Sequence, residues 1–211
     1  MNKLDRLLQQ RPGQDIWRGG RGQTRQAATV SSGHAALDAA LAGGGWPRGA
    51  LCELLTETSA PGIITLLAPA VAQLARERRW IALISPPSRP CATAFSAHGI
   101  DLSRLLLVRP RKAEQQAWAL EQALRAGSCS AVLAWSGESF SRTQLRRLQL
   151  AARDGDCQGF LIRPARHAAR PSPAALRLML QPRANGLRIE ILKQQGGWPV
   201  EGFILPWPTR H

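Results

Sequence analysis

The sequence predicts an α/β fold, a mostly parallel sheet flanked by helices with an antiparallel strand pair at its C-terminal end. Two observations carry this. From Val30 onward, stretches with apolar residues at helical spacing alternate with short β-rich runs, the order of βαβ units whose crossovers leave successive strands parallel. Near the end, Leu176 to Leu180 and Leu187 to Leu192 alternate apolar with polar residues and are joined by Pro182-Arg183-Ala184-Asn185-Gly186, a turn that brings two strands back antiparallel. A length of 211 residues, 44% of them hydrophobic, suffices for one core without disulfides or metals.

The elements follow in order. Leu4 to Gln9 reads as a short helix and Arg11 to Thr29 as a polar, Gly-rich, basic arm anchored by Trp17, so residues 1–29 form an N-terminal extension, 30–205 the core and 206–211 a tail. Ser31 or Ser32 caps a helix through Ala35, Leu37 and Leu41, which Gly43-Gly44-Gly45 stops before a turn at Trp46-Pro47-Arg48-Gly49. Ala50 to Leu55 is the first core strand. Ile63 to Arg79 carries Leu66, Leu67, Ala70, Val71 and Leu74 at helical spacing and ends in Arg76, Arg78 and Arg79. Trp80 to Ile84 is a strand, Ala92 to His98 a helix, Leu105 to Val108 a strand, and Ala113 to Ala126 a helix stopped by Gly127. Ala131 to Trp135 is a strand. Ser141 opens a helix with Leu145, Leu148 and Ala152 inward, Gly159 to Ile162 is a strand, and Phe203 to Leu205 adds an edge strand.

No apolar run approaches the roughly 20 residues needed to cross a bilayer, and the start lacks the apolar stretch of a secretory signal, so the cytoplasm is the expected compartment and no membrane the expectation. Cys52, Cys91, Cys129 and Cys157 lie far apart with no CxxC pair, a pattern of buried structural cysteines rather than a zinc site or disulfide framework. The charge is the strongest compositional signal: 28 Lys+Arg against 14 Asp+Glu give +14, which implies nucleic acid or an acidic protein as partner. An Arg-rich solvated surface is the bland alternative; Lys3, Lys112 and Lys193 are the only lysines.

The stretch Val30 to Leu41, followed by Gly43-Gly44-Gly45-Trp46-Pro47-Arg48-Gly49 and Glu53, resembles the approach to the P-loop of RecA recombinases, as Gly99 to Leu106 resembles the segment before their third strand and Leu187 to Leu205 their closing hairpin. Gly44 to Leu51, Leu145 to Ala152 and Pro171 to Leu178 look most like the ImuA family of translesion-synthesis-associated proteins, related to SulA-type division inhibitors. The resemblance implies a RecA-like core in a cytoplasmic protein of the SOS response to DNA damage, an adapter in error-prone translesion synthesis and mutagenesis. Its implied partners are a polymerase-like ImuB and an error-prone replicative-type polymerase, with single-stranded DNA as a further candidate.

The chemistry of a P-loop enzyme is missing. A working loop needs Gly-rich backbone, a Lys for the phosphates and a Ser/Thr hydroxyl for Mg²⁺. Here Thr56, Glu57, Pro61, Gly62, Ile63 and Ile64 form a degenerate version, with Ile63 at the lysine position, Ile64 at the hydroxyl position and Pro61 lacking an N–H. The strand before Ser136 ends in Trp135 instead of a metal-binding aspartate, and Pro86-Pro87 stand where the resemblance places a water-polarising glutamate. Phosphoryl transfer needs these parts together, so the sequence predicts no enzyme, no cofactor and no metal. The scattered His34, His98, His167 and His211 form no HExxH or triad pattern.

Binding is therefore the expected activity. Arg163, Arg166, His167 and Arg170 fall in the loop after the fifth strand, a candidate phosphate-contact cluster for DNA that Arg142, Arg146 and Arg147 extend. Trp17 in the arm and Trp207 in the tail are the candidate partner anchors. The alternative function is a SulA-type division inhibitor that blocks a tubulin-like division protein by protein–protein binding.

Overall fold

The computed structural model describes residues 28–57, 62–137 and 140–207, so most of the N-terminal arm, Trp17, Pro61 and the last four residues of the tail lie outside the described residues. The strands are β1 (Thr29–Val30), β2 (Trp46–Pro47), β3 (Leu51–Thr56), β4 (Trp80–Ile84), β5 (Leu105–Val108), β6 (Cys129–Trp135), β7 (Gln158–Pro164), β8 (Leu176–Arg183), β9 (Gly186–Gln194) and β10 (Val200–Pro206). The helices are α1 (Ala35–Ala40), α2 (Ile63–Ala75), α3 (Ala92–Ala97), α4 (Ala113–Arg125) and α5 (Arg142–Asp154), with single 3₁₀ turns at Leu102–Arg104 and Ala165–His167.

Eight strands make one mixed sheet in the order β10-β9-β8-β3-β7-β6-β4-β5, while β1 and β2 form a separate two-stranded ladder. From β8 across to β5 every neighbouring pair is parallel, and β9 is antiparallel to both β8 and β10. The expected C-terminal antiparallel pair is thus three strands: β10 runs over seven residues, where the sequence offered Phe203 to Leu205. The turn read at Trp46-Pro47 is itself a short strand, held because Val30 and Thr29 pair with it.

Strands buried on both faces read as continuous apolar runs, which explains why β3, Leu-Cys-Glu-Leu-Leu-Thr, is buried at every position. One face is covered by α2 and α3: Leu66, Leu67, Val71, Leu74 and Phe95 pack with Cys52, Leu54, Leu83, Leu133 and Ile162, and β8 and β9 extend this core through Leu178, Leu180, Ile189 and Ile191. The other face is covered by α4 and α5: Leu120, Leu124, Leu145 and Leu148 pack with Leu51, Ala82, Val132 and Leu161.

Local chemistry sets the element ends. Ser141 accepts from the Gln144 N–H at 3.1 Å while the Gln144 side chain accepts from Ser141 N–H at 2.8 Å, a reciprocal cap that starts α5 where the sequence places it. At α1 the expected serine cap gives way to His34; Ser31 Oγ and Ser32 N–H instead donate to Asp38, which lowers its pKa against the opposing effect of burial. Pro69 sits inside α2, and Gly33, at φ +76°, lies against it so closely that a Cβ there would come within 2.3 Å of the Pro69 ring.

Below the sheet, Arg48 binds Glu77 at 2.6 Å and Asp156 at 2.9 Å, and Arg79 joins the same two carboxylates, tying the turn before β3, the end of α2 and the turn before β7. Among the described residues no helix is long and apolar enough to cross a membrane. Three cysteines are buried as expected, but Cys91 is exposed just before α3.

Candidate functional site

The residues proposed from sequence fall into three places. At the carboxyl end of β3, Gly62 caps α2 in a left-handed conformation, φ 108°, and Ile63 is buried beneath it. The indole of Trp207 lies over Gly62, within 2.5 Å of where a Cβ would be, and donates from Nε1 to the Arg183 carbonyl at 3.0 Å. Trp207 is therefore packed against the body, not held out as the expected tail anchor. Thr56 is buried with its hydroxyl unpartnered, and Glu57 is exposed. Beside Gly62 lies a cavity of about 330 Å³ walled by Ile63, Ile64, Leu83, Phe95 and Trp135 together with Pro86 and Pro87. At the end of β6 the Ser136 hydroxyl donates to the Gln116 side chain at 2.9 Å, and Gln116 donates to the Trp135 carbonyl at 2.8 Å. The space next to the α2 N-terminus is lined mostly by apolar side chains, with Ser88, Arg89 and Cys91 as its polar members.

The basic loop divides into buried and exposed members. Arg163 is 3% exposed: its Nη1 binds Glu53 Oε1 at 2.6 Å, and Arg177 Nε binds Glu53 Oε2 at 2.7 Å, so a carboxylate inside β3 is clamped between arginines from the two flanking strands. Arg177 gives its remaining donors to the carbonyls of His167 and Ala168. His167 is buried as well, and burial, followed by the charges of Arg163, Arg166 and Arg170, pushes its pKa below the usual histidine value. Arg163 and His167 are thus interior groups and not part of an exposed basic surface. Arg166 is exposed and donates to the Gly137 carbonyl at 2.8 Å, and Arg170, Arg142 and Arg146 are exposed. Arg147 pairs with Glu121 on α4 at 2.6 Å, which removes part of its charge from the proposed cluster.

A third surface was not anticipated. β5 is an outermost strand, and its Leu106 and Leu107, on opposite sides of the sheet by strand alternation, are each 43% exposed. Leu102 and Trp80 add exposed apolar area nearby. The Val108 carbonyl accepts from Ser85 N–H at 2.9 Å, so it points inward, and by alternation the backbone groups of Leu105 and Leu107 point outward, an open edge. Arg104 and Arg109 bracket the strand, with Arg111 and Lys112 just beyond. An edge strand with apolar side chains and a cationic rim is a surface for an extended or apolar protein segment bearing acidic groups. The sequence signal was present, as Leu105 to Val108 is a run with no polar face, but an apolar run alone does not distinguish a central from an edge strand.

The basic loop after β7 lies outside the stretch that the family comparison matches. The family model of the cell division inhibitor SulA matches residues 49–159. The cell division inhibitor SulA of Yersinia enterocolitica is 30% identical over 116 residues, covering 55% of this chain and 68% of that protein, and the one from Yersinia pestis strain Pestoides F is 28% identical over the same shares. A crystal structure of SulA from Pseudomonas aeruginosa is 30% identical, covers 54% of this chain and 97% of its own, and superposes with a TM-score of 0.44. The family model and the two Yersinia relatives overturn the RecA-like class and the ImuA assignment. The residues quoted for them are glycine turns and leucine-rich strands and helices common to many α/β sheets, and the stretch with family-level specificity is the one that matches SulA. The translesion-synthesis role, the ImuB and polymerase partners and the single-stranded DNA that rested on that assignment fall with it.

Proposed function

We propose that this chain, which belongs to the SulA family of cell division inhibitors, is itself a division inhibitor that works by binding a tubulin-like division protein and not by chemistry. The family match over residues 49–159 carries the reading. The matched stretch contains the open edge β5 with its arginines, and that surface is the docking face. Apolar side chains on the rim contribute buried area, and the surrounding arginines select an acidic partner and speed its approach. An inhibitor that acts by occupancy needs no nucleotide: the apolar cavity beside Gly62, covered in part by Trp207, supports the absence of ATP hydrolysis.

Overproduction in a dividing bacterium tests the reading. Cells should elongate into filaments without septa, and purified protein should slow assembly of the division protein at near-stoichiometric ratio. The Leu107→Glu variant should accumulate to the same level and leave division unchanged. Normal septation despite abundant folded protein ends the proposal, as does inhibition that requires ATP.

A further inference from the structure

The basic end of the molecule holds a cavity that the division-inhibitor reading does not use. It measures about 240 Å³ and lies between the start of α5 and the end of β7, walled by Phe140, Arg142, Leu145, Arg163 and Ser172. A water occupies about 30 Å³ of liquid, so the space takes a group several times larger.

The floor of this cavity is formed by Arg163, and the cluster behind it is positively charged and incompletely satisfied. The buried cluster Arg163, Glu53 and Arg177 holds two cations against one anion. Lys193, which pairs with Arg177 across β8 and β9, adds a third cation; its amine donates to the carbonyls of Ser172 and Ala174, both at 2.8 Å, and so fixes the Ser172 wall. Arg177 spends its other donors on main-chain carbonyls. Arg163 does not: its Nε is buried with no hydrogen-bond partner, and its guanidinium stands 5.5 Å from the Phe140 ring centroid. A buried cationic donor left without an acceptor is a costly state that a bound anion relieves.

The roof supplies the complementary donors. α5 is a 13-residue helix whose reciprocal cap satisfies Gln144 N–H, leaving the first-turn N–H groups of Arg142 and Thr143 without intrahelical acceptors. They sit at the positive end of the helix dipole, an arrangement suited to oxyanions. The exposed guanidinium of Arg142 supplies a second cation to the lining.

We propose that this cavity is a phosphate site, binding a dianionic phosphate through Arg163, Arg142 and the first turn of α5. The floor and the cluster behind it carry a surplus of two positive charges and Arg142 makes three, so a dianion offsets more of it than a carboxylate or a phosphodiester, each of which brings a single negative charge. The phosphate comes from free orthophosphate or from a phosphate monoester, and the two are separable by experiment.

The test is an NMR titration of the isotopically labelled full chain with orthophosphate and with a nucleoside 5′-monophosphate, at constant ionic strength against chloride. The amides of Arg142 and Thr143 and the Arg163 Nε–H should shift saturably with phosphate and not with chloride. In Arg142→Glu, a change at an exposed position, the dissociation constant should rise about tenfold or more, the loss of one charge-assisted contact, while the rest of the spectrum is retained. Arg163→Lys is the internal variant, but its burial risks the fold, so Arg142→Glu decides. Equal affinity for the two ligands identifies free phosphate as the occupant, and tighter binding of the monophosphate identifies an ester. Shifts that fail to saturate, that scatter over the basic surface, or that survive unchanged in Arg142→Glu overturn the proposal.

Discussion

At the scale of single residues, the interior charges are the features with the largest consequences. Glu53 is fully buried between Arg163 and Arg177, so Glu53→Gln leaves two interior guanidiniums without their counter-ion. Removing one partner of a buried pair typically costs about 3–5 kcal/mol, and the urea midpoint should fall accordingly, whereas Arg166→Ala at the exposed end of the same loop should change stability by less than about 0.5 kcal/mol. His167 gives a second measurable. Its pKa is depressed, so as pH falls below the ordinary value of 6.5 the unfolded chain takes up a proton that the native state refuses, and stability declines with falling pH. Glu77 and Asp156 also titrate low: Glu77 because its bonds to Arg48 and Arg79 outweigh burial, and Asp156 chiefly through its hydrogen bond to Arg48. Their contribution disappears only below their ordinary values of 4.5 and 3.8, so the higher window belongs to His167. His167→Leu should flatten the melting temperature against pH between about pH 6.5 and 5. This site was hard to read in the sequence because Arg163 follows Ile162 at what looked like a strand end. The overlooked signal was Glu53, a carboxylate in the middle of Leu-Cys-Glu-Leu-Leu, since a charge in a fully buried strand requires an opposite charge from a neighbouring one.

At the scale of elements, apolar periodicity was a good guide wherever a helix or strand buries one consistent face. The helix from Ser141 starts at its reciprocal cap, and β4 and β5 have the residues that their β-branched and leucine runs announce. What periodicity lacks is neighbour identity. β5 and β3 are both apolar runs, yet β3 lies between β7 and β8 while β5 has β4 on one side and nothing on the other, a difference made by strand order alone. The same limitation hid the two-residue ladder of β1 and β2, whose partners lie 16 to 18 residues apart. Two variants follow at this scale. Ser141→Ala removes a cap whose loss typically costs about 1 kcal/mol, readable as a shift in the denaturant midpoint with an unchanged slope. Leu106→Glu places a charge on the open edge, where edge strands in other proteins carry charge to prevent pairing; it should leave the melting temperature within a few degrees of the parent and abolish binding to the division protein in a sedimentation assay.

At the scale of the whole molecule, the question is whether the stretch that matches the SulA family can stand without the remainder. The match ends at Gln158-Gly159, at the start of β7, yet β3 at the centre of the sheet takes hydrogen bonds from β7 on one side and β8 on the other. The leucines and isoleucines of β8 and β9 belong to the same core as α2, so removing them exposes one side of the strand that organises both faces. Glu53 would also lose Arg177, leaving its Oε2 without its hydrogen-bond donor in an interior position. A chain ending at Ala175 should therefore lose cooperative unfolding and near-ultraviolet circular dichroism while keeping helical signal from α2, α4 and α5, the pattern of a collapsed chain without fixed packing. If that chain instead melts cooperatively and still blocks division, the three C-terminal strands are an addition to a self-sufficient inhibitor. The buried arginine clamp would then serve the phosphate cavity above it rather than the fold.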